Sequence, residues 1–475
     1  MAPRAWQRAV IAVFLALIAA WYLATLRPGA PWGDDWAMYV LQARNIAEGH
    51  WFGPTGYIYN PHVPKIGPPS YPPLFPVLLA PLYSVWKLNL TPMKVEVILL
   101  FLAALYLIFE YTARQVPFPF AAGIVAAIGL SPSFWDMKEA VNSDVPFLFF
   151  AMLALCVIAA CERRQWKSTG LAVSAAVCVY LAFATRTIGV ALLAPLAIAA
   201  MPRWAVFRRK AIGVAVLAVF LIGIHSLIFR GAGSYLVQLH APWQELPHNL
   251  LAYSWNLRNV YFGLGGGIFA WLFLLVIIAA GFAGLAIRLR QRISPTEAFT
   301  LAYALIVLLW STDEDLRLLF PLLPLWFLYI TVALRRLPSR VAAIAGVALL
   351  GTATIGFASR YSQLDKGPIH AGIGDPAFLR VCRYISEDTR PDSIFVFTKA
   401  RLLALATRRS TAPYHHPATD AELWQYFRAI GARYVLVHRE FEEDRDYLEP
   451  LLQRDRSAAQ LIYGIGGLQL YRLRW

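Results

Sequence analysis

Long apolar runs fill most of residues 9–357, and the pattern then changes. Eleven runs, at 9–26, 94–113, 117–132, 145–161, 169–184, 187–202, 211–229, 263–287, 297–311, 317–334 and 340–357, match or approach the roughly 17–25 residues that cross a bilayer as a helix. A further run, 73–88 (PLFPVLLAPLYSVWKL), holds Pro73, Pro76 and Pro81, and proline kinks or breaks a helix interior. Arg4 and Arg8 precede the first run, and no small-residue cleavage site stands before Arg27. The run therefore reads as a first transmembrane helix rather than a signal peptide.

From residue 358 the elements shorten. Asp375-Pro376 opens a helix to about Glu387, with the acid as cap and proline in the first turn. Residues 393–398 read as a strand and 399–406 as a helix. Thr419 and Glu422 have the spacing of a capping box, Gly431 ends the helix they start, and Tyr434–His438 is a strand. A hairpin pairs 459–463 with 468–473 through a turn at 464–467. The expected architecture is a polytopic α-helical membrane protein of about eleven transmembrane helices over 1–357, with a small α/β domain over 358–475.

Composition agrees. Of 475 residues, 59% are hydrophobic, 14% aromatic and only 15% charged, yet the net charge is +15. A disordered basic tail would be poor in aromatics, and a nucleic-acid-binding domain this basic would not be this apolar. The four cysteines (Cys156, Cys161, Cys178 and Cys382) show neither a disulfide framework nor zinc spacing.

The charge locates itself by topology. With the N-terminus cytoplasmic and 73–88 lying on the membrane surface, inside loops up to residue 357 hold sixteen Lys and Arg, against ten outside. If 73–88 crosses, the split inverts to nine against seventeen. Basic residues favour cytoplasmic loops, most strongly short ones. The first arrangement is therefore expected, with the C-terminal domain on the periplasmic or extracytoplasmic side of the cytoplasmic membrane. It puts on one outer face the loop 27–93, the 133–144 loop, the turn at Arg186, the 230–262 loop and the turn from Asp313 to Arg317.

The first outer loop carries the candidate chemistry. After Gly33, Asp34 and Asp35, the residues Met38, Leu41 and Ile46 recur at helical spacing, and Gly49 suits a helix stop. Asp35 falls at a helix N-terminus, where a carboxylate can cap backbone N–H groups. Held at the lipid–water boundary, it is also placed to act as a general base on a hydroxyl, because desolvation raises carboxylate basicity.

The strings GDDWAMYVLQARNIAEG and HVPKIGPPSYPPLFPVLLAPLY, followed in order by SPSFWDMKEAVNSDVPFLFF, ATRTIGVALLAPL and DLRLLFPLLPLW, resemble the GT-C fold glycosyltransferases. These integral membrane enzymes include protein O-mannosyltransferases and the lipid A aminoarabinose transferase. The tail DPAFLRVCRYISEDTRPDSIFVFTKARLLALATRR resembles the small outer domain of bacterial members. The resemblance spans nearly the whole chain and rests on motif order. It implies a GT-C transmembrane domain, with juxtamembrane helices in the first outer loop, that moves a sugar from a polyprenyl-phosphate lipid to an acceptor.

By the resemblance, Asp35 is the first-loop acid, with Tyr39 and Arg44 at matching spacing, and Asp144 is the second-loop acid. Lys65 stands for the lysine of a KPP-like stretch, although this chain has Lys-Ile-Gly-Pro-Pro there. Trp36 stands where many members have Glu, so Asp34 is assigned a share of the acidic role. Arg186 and Arg317 join Lys65 as candidates to bind the donor phosphate, a task that suits cations and Arg in particular. Trp243 in the 230–262 loop, together with Tyr39 and Arg44, is a candidate sugar or acceptor contact. Asp34, Asp35 and Asp144 also have the oxygen donors a divalent cation prefers, so metal dependence stays open. The histidines show no ligand spacing. The rival readings are a secondary transporter, which would often show repeated halves not found here, and a non-catalytic member of the same fold.

Overall fold

The computed structural model describes residues 3–63, 67–201, 208–229, 242–261, 268–310 and 315–475. The helices in chain order are α1 (Ala5–Ala24), α2 (Asp35–Ala47), α3 (Leu74–Trp86), α4 (Thr91–Thr112), α5 (Phe118–Gly129), α6 (Pro132–Met137), α7 (Asp144–Arg163), α8 (Thr169–Thr185), α9 (Leu193–Ala199) and α10 (Arg208–Ile228). They continue with α11 (Pro242–Tyr261), α12 (Ile268–Gln291), α13 (Pro295–Leu308), α14 (Leu323–Leu334), α15 (Ser339–Gln363), α16 (Pro376–Asp388), α17 (Ala400–Thr407), α18 (Asp420–Ala429) and α19 (Glu449–Arg454). The strands are β1 (Ile394–Val396), β2 (Ser410–Ala412), β3 (Ala432–His438), β4 (Ala459–Ile465) and β5 (Leu468–Leu473).

Each of the eleven apolar runs holds helical structure among its described residues. Among the described residues, six helices (α1, α4, α7, α10, α12 and α15) are long and apolar enough to cross a membrane, and this is a multi-pass membrane protein. Three expectations change, the first at 317–334, where a 3-10 turn over Asp315–Leu319 precedes α14 and the α-helix starts only at Leu323. The run 187–202 is not one α-helix: Thr187–Leu192 is a 3-10 turn, and α9 follows it. Gly189 lies so close to the preceding helix that a Cβ there would sit 2.6 Å from the Phe183 amide nitrogen, so this turn must hug α8. The 230–262 segment is also more than a loop. Residues 242–261 form the amphipathic helix α11, with Tyr253 buried and Trp243 exposed.

The chain packs as two compact units. Among the described residues, one comprises the segments within 1–26, 94–229 and 242–366, and the other those within 27–93 and 367–475. The first is the helical unit. Its exposed positions are large and apolar, such as Leu17, Leu99, Val216, Leu275 and Val347, as expected of surfaces that meet lipid. Tyr22 donates to the Gly129 carbonyl at 3.1 Å, and Tyr361 donates to that of Leu130 at 3.0 Å. The backbone at the end of α5 is thus satisfied from α1 and α15.

The second unit joins the long first loop to the C-terminal domain. The sheet order is β2-β1-β3-β5-β4, with β1 parallel to β2 and β3, and β5 antiparallel to β3 and β4. Its core includes Val396, Leu423, Phe427, Val435, Leu448 and Tyr471. Asp375 caps α16 by accepting the Ala377 N–H at 2.8 Å, and Thr419 accepts the Glu422 N–H at the start of α18. The first loop extends the sheet edge: Ile58 donates to the Thr411 carbonyl and Thr411 to that of Gly56, each at 2.9 Å. The segment 73–88 is α3, which packs on α2 through Phe75, Leu79 and Tyr83. At 13 residues it reaches about 20 Å, short of the hydrocarbon core.

Candidate functional site

The acid pair opens α2 within the second unit. Asp34 occupies the N-cap position but makes no side-chain cap to its own helix. Its Oδ1 instead accepts the Leu402 N–H at 3.2 Å, in the first turn of α17. The N-cap residue of α17 is Lys399, whose side chain cannot accept. Asp34 therefore supplies from a distant part of the chain an acceptor that this helix N-terminus lacks, and places negative charge at its positive end.

Asp35 is the first residue of α2. Tyr71 Oη donates to its Oδ1 at 2.5 Å, and Arg401 Nη1 donates to the same oxygen at 3.3 Å. Arg401 Nη1 also donates to Tyr71 Oη at 2.7 Å, so guanidinium, phenol and carboxylate form a closed triangle. The Asp35 carboxylate is nevertheless 37% exposed, whereas that of Asp34 is 12% exposed and Arg401 is fully buried.

Arg401 is the residue that sequence reasoning missed. Its guanidinium lies over the rings of Tyr57 at 4.8 Å and Tyr71 at 4.9 Å, and its Nη2 donates to the Pro68 carbonyl at 3.0 Å. Such aromatic faces attract a desolvated cation. Its Nε faces Asp34 Oδ2 at 3.8 Å, and neither atom has a hydrogen-bond partner among the described residues. The chain's departure to Lys-Ile-Gly-Pro-Pro has a steric reason here. Gly67 has a φ of 95°, and a Cβ on it would stand 3.0 Å from Tyr71 Oη and 3.1 Å from Arg401 Nη2.

Burial pushes Asp34 up to about 6, opposed first by the charge of Arg401 and then by the Leu402 N–H. Arg401 is raised: burial acts against its charge, but Tyr71, Asp34, Tyr57 and Asp35 outweigh it. Burial pushes Tyr57 up to about 12. The two carboxylates are thus unlike. One is sequestered and hard to ionise, and the other is presented to solvent.

Tyr39 is buried, stacks on Tyr71 at 4.7 Å between ring centroids and meets Phe75 edge-on. It thereby fixes the phenol that bonds Asp35. Arg44 is buried with Nη1 directed to the Leu405 carbonyl at 3.4 Å. Both sit in the packing of α2 rather than on an open face. Lys65 lies outside the described residues.

In the helical unit, Asp144 begins α7 and Arg186 ends α8, and the two form an ion pair, with Asp144 buried. The sequence placed them separately, one as an acid and one as a phosphate ligand, and the structure brings them together. Arg317 lies in the 3-10 turn Asp315–Leu319, while Asp313 and Glu314 lie outside the described residues. A second buried cluster was not anticipated. Lys94 Nζ meets Glu139 at 2.8 Å, Lys138 also bonds Glu139, and the Lys138 ammonium lies 3.6 Å from the centroid of the Trp135 ring. Burial lowers Lys138, with Glu139 opposing. Among the described residues no group of three His, Cys, Asp or Glu side chains is placed to hold a metal ion, and all four cysteines are free thiols.

No protein-family profile matches the sequence, and no curated protein matches it either. Solved structures do. ArnT from Cupriavidus metallidurans bound to undecaprenyl phosphate aligns with a TM-score of 0.58 at 14% identity, covering 98% of this chain and 97% of that one. The archaeal oligosaccharyltransferase AglB from Archaeoglobus fulgidus, in complex with an inhibitory peptide and a dolichol-phosphate, gives 0.59 at 14% identity over 92% of this chain and 70% of its own. The mycobacterial arabinofuranosyltransferase AftD gives 0.54 at 16% identity, over 97% of this chain and 40% of its own. All three are GT-C fold glycosyltransferases, and the fold of this chain is the GT-C fold.

Proposed function

We propose that this protein transfers a sugar from a polyprenyl-phosphate donor to an acceptor hydroxyl or amine at the outer face of the cytoplasmic membrane, with Asp35 as the base. The observation that carries the reading is the half-exposed Asp35 carboxylate, held at the start of α2 by Tyr71 and Arg401, in a chain with the fold of ArnT and AglB. The carboxylate takes the acceptor proton as the acceptor attacks the anomeric carbon. The bond from that carbon to the phosphate oxygen breaks, and the lipid phosphate leaves. Asp34 shares the acidic role by fixing Arg401 and the start of α17.

Lys65, Arg186 and Arg317 are the residues we assign to the departing phosphate, because fixed cations stabilise charge that develops on a leaving group. Asp144 orients Arg186 through their ion pair. Trp243, on the exposed face of α11, is assigned to sugar or acceptor contact. An apolar cavity of about 150 Å³ lined by Tyr253, Leu257, Phe282, Leu308 and Trp326 suits a hydrocarbon chain. The charge pattern supports a cytoplasmic N-terminus and a C-terminal domain outside.

The test is direct. Purified protein in nanodiscs is given radiolabelled undecaprenyl-phosphate sugars and cell-envelope fractions as acceptors, and label is followed into the acceptor. Transfer is expected from at least one donor, and Asp35→Asn is expected to reduce it at least ~100-fold while the protein remains folded. Solute uptake into proteoliposomes without any sugar transfer would establish the transporter instead.

A further inference from the structure

At the far end of α7 from Asp144 lies a different kind of cavity. Its volume is about 220 Å³, and it is lined by Arg114, Gln115, Glu162, Arg163, Arg288 and Thr296, among others. It is formed where α4, α7 and α12 end and α13 begins. Twenty residues of α7 at 1.5 Å each separate it from Asp144 by about 30 Å, the thickness of the hydrocarbon core. It therefore lies at the opposite membrane surface from the Asp144–Arg186 pair and is no part of that site.

Its charges do not cancel. Glu110 binds Arg8 at 2.5 Å and Arg114 at 2.9 Å, Glu297 binds Arg288 at 2.6 Å, and Glu162 faces Arg292 at 3.9 Å. Five arginines thus surround three glutamates. Arg163, on the cavity wall, makes no ion pair among the described residues. A preference for basic residues in inside loops accounts for arginines exposed to water. It does not account for arginines, some half-buried, arranged around an interhelical cavity.

We propose that this cavity binds the phosphate-bearing headgroup of an anionic phospholipid in the leaflet opposite the Asp144 end. By the charge-derived topology this is the cytoplasmic leaflet. Arg163 supplies the unmatched charge, and Arg114 and Arg288, already oriented by their glutamates, supply further N–H donors. Guanidinium groups suit phosphate oxygens because their donors are planar and paired. A lipid is favoured over a soluble phosphate by what adjoins the cavity. α13 begins at its wall with Pro295 and Thr296 and continues with Leu301 and Leu305, one turn apart and both exposed, a track for an acyl chain. Basic pockets between transmembrane helices are known to hold anionic headgroups.

The test uses the full-length protein in detergent with phosphatidylglycerol or phosphatidylcholine of matched acyl chains, with native mass spectrometry reading retained lipid. Phosphatidylglycerol is expected to be retained over phosphatidylcholine. Arg163→Gln, a change on the exposed end of α7, is expected to cut that retention about tenfold, the worth of one charge-assisted hydrogen bond, without changing the melting temperature in phosphatidylcholine. Millimolar inorganic phosphate should not displace the lipid. Equal retention of the two lipids, or retention unchanged in Arg163→Gln, would overturn the proposal. Displacement by inorganic phosphate would overturn the lipid as its source.

Discussion

Asp35 and Asp144 each begin a helix, and they are built to opposite ends. Asp144 starts α7, is buried and is committed to Arg186. Asp35 starts α2 and is likewise held by an arginine, yet its carboxylate stays 37% exposed. The difference lies in where the cation sits. Arg186 closes directly on Asp144, whereas Arg401 is buried behind Asp35 and divides its donors among Asp35, Tyr71 and the Pro68 carbonyl. An acid that is gripped from behind keeps a face for chemistry, and one whose partner closes over it serves to orient that partner. Residue type and helix position alone do not separate the two cases.

The largest expected effect tests the exposed member. Asp35→Asn should lower sugar transfer at least ~100-fold with little change in melting temperature, as followed by label transfer and differential scanning fluorimetry. Next is Arg401→Met, which leaves Asp34 and Asp35 without their buried counter-charge. Breaking one partner of a buried pair costs about 3–5 kcal/mol, so chemical denaturation should show a loss of that order. Arg401→Lys should recover only part of it, because an ammonium lacks the guanidinium fork.

The closed pair should respond differently. Asp144→Asn and Arg186→Gln should each destabilise, and the double variant should lose less than their sum, with a coupling of about 1–3 kcal/mol in a double-mutant cycle. Asp34 offers a test in pH. Its folded value is about 6, against about 3.9 for a free side chain. Between these values the folded chain holds a proton that the unfolded chain has released, so stability contributed by Asp34 falls as pH rises through that window. Asp34→Asn keeps an acceptor for the Leu402 N–H and should remove on the order of 2 kcal/mol of that decline, read as melting temperatures at pH 4.5 and pH 7. The smallest effect is expected at Trp243, which is 71% exposed. Trp243→Ala should leave stability within ~0.5 kcal/mol and raise the acceptor KM about threefold, the lower worth of an aromatic stacking contact.

The helical runs, the caps at Asp375 and Thr419 and the C-terminal hairpin were legible because each is a local property of a few neighbouring residues. The 3-10 turn at Thr187–Leu192 was not, because it follows from the close approach of Gly189 to α8. Helix α11 was hidden for another reason: its mixed polar and apolar sequence, with Pro247 inside it, carries neither the length of apolar run that marks a span nor a clear stop. β2 is three residues long and gains its order from β1 on one side and the Gly56–Ile58 segment on the other.

By itself the sequence determined that this is a membrane protein. It also determined where its apolar helices lie, that a small α/β domain follows them and that Asp34 and Asp35 stand at a helix start. These depend on hydropathy, periodicity and capping, which act over a turn or two of chain. Only the tertiary structure decided that the first loop and the C-terminal domain form one unit, and that an arginine 366 residues along the chain from Asp35 grips it. Within ARLLALAT that arginine looks like the polar edge of an amphipathic helix. Its charge is buried only because α17 docks against α2 and two tyrosines close over it. No local pattern encodes that arrangement, since the partners that make burial of the charge tolerable come from other parts of the chain.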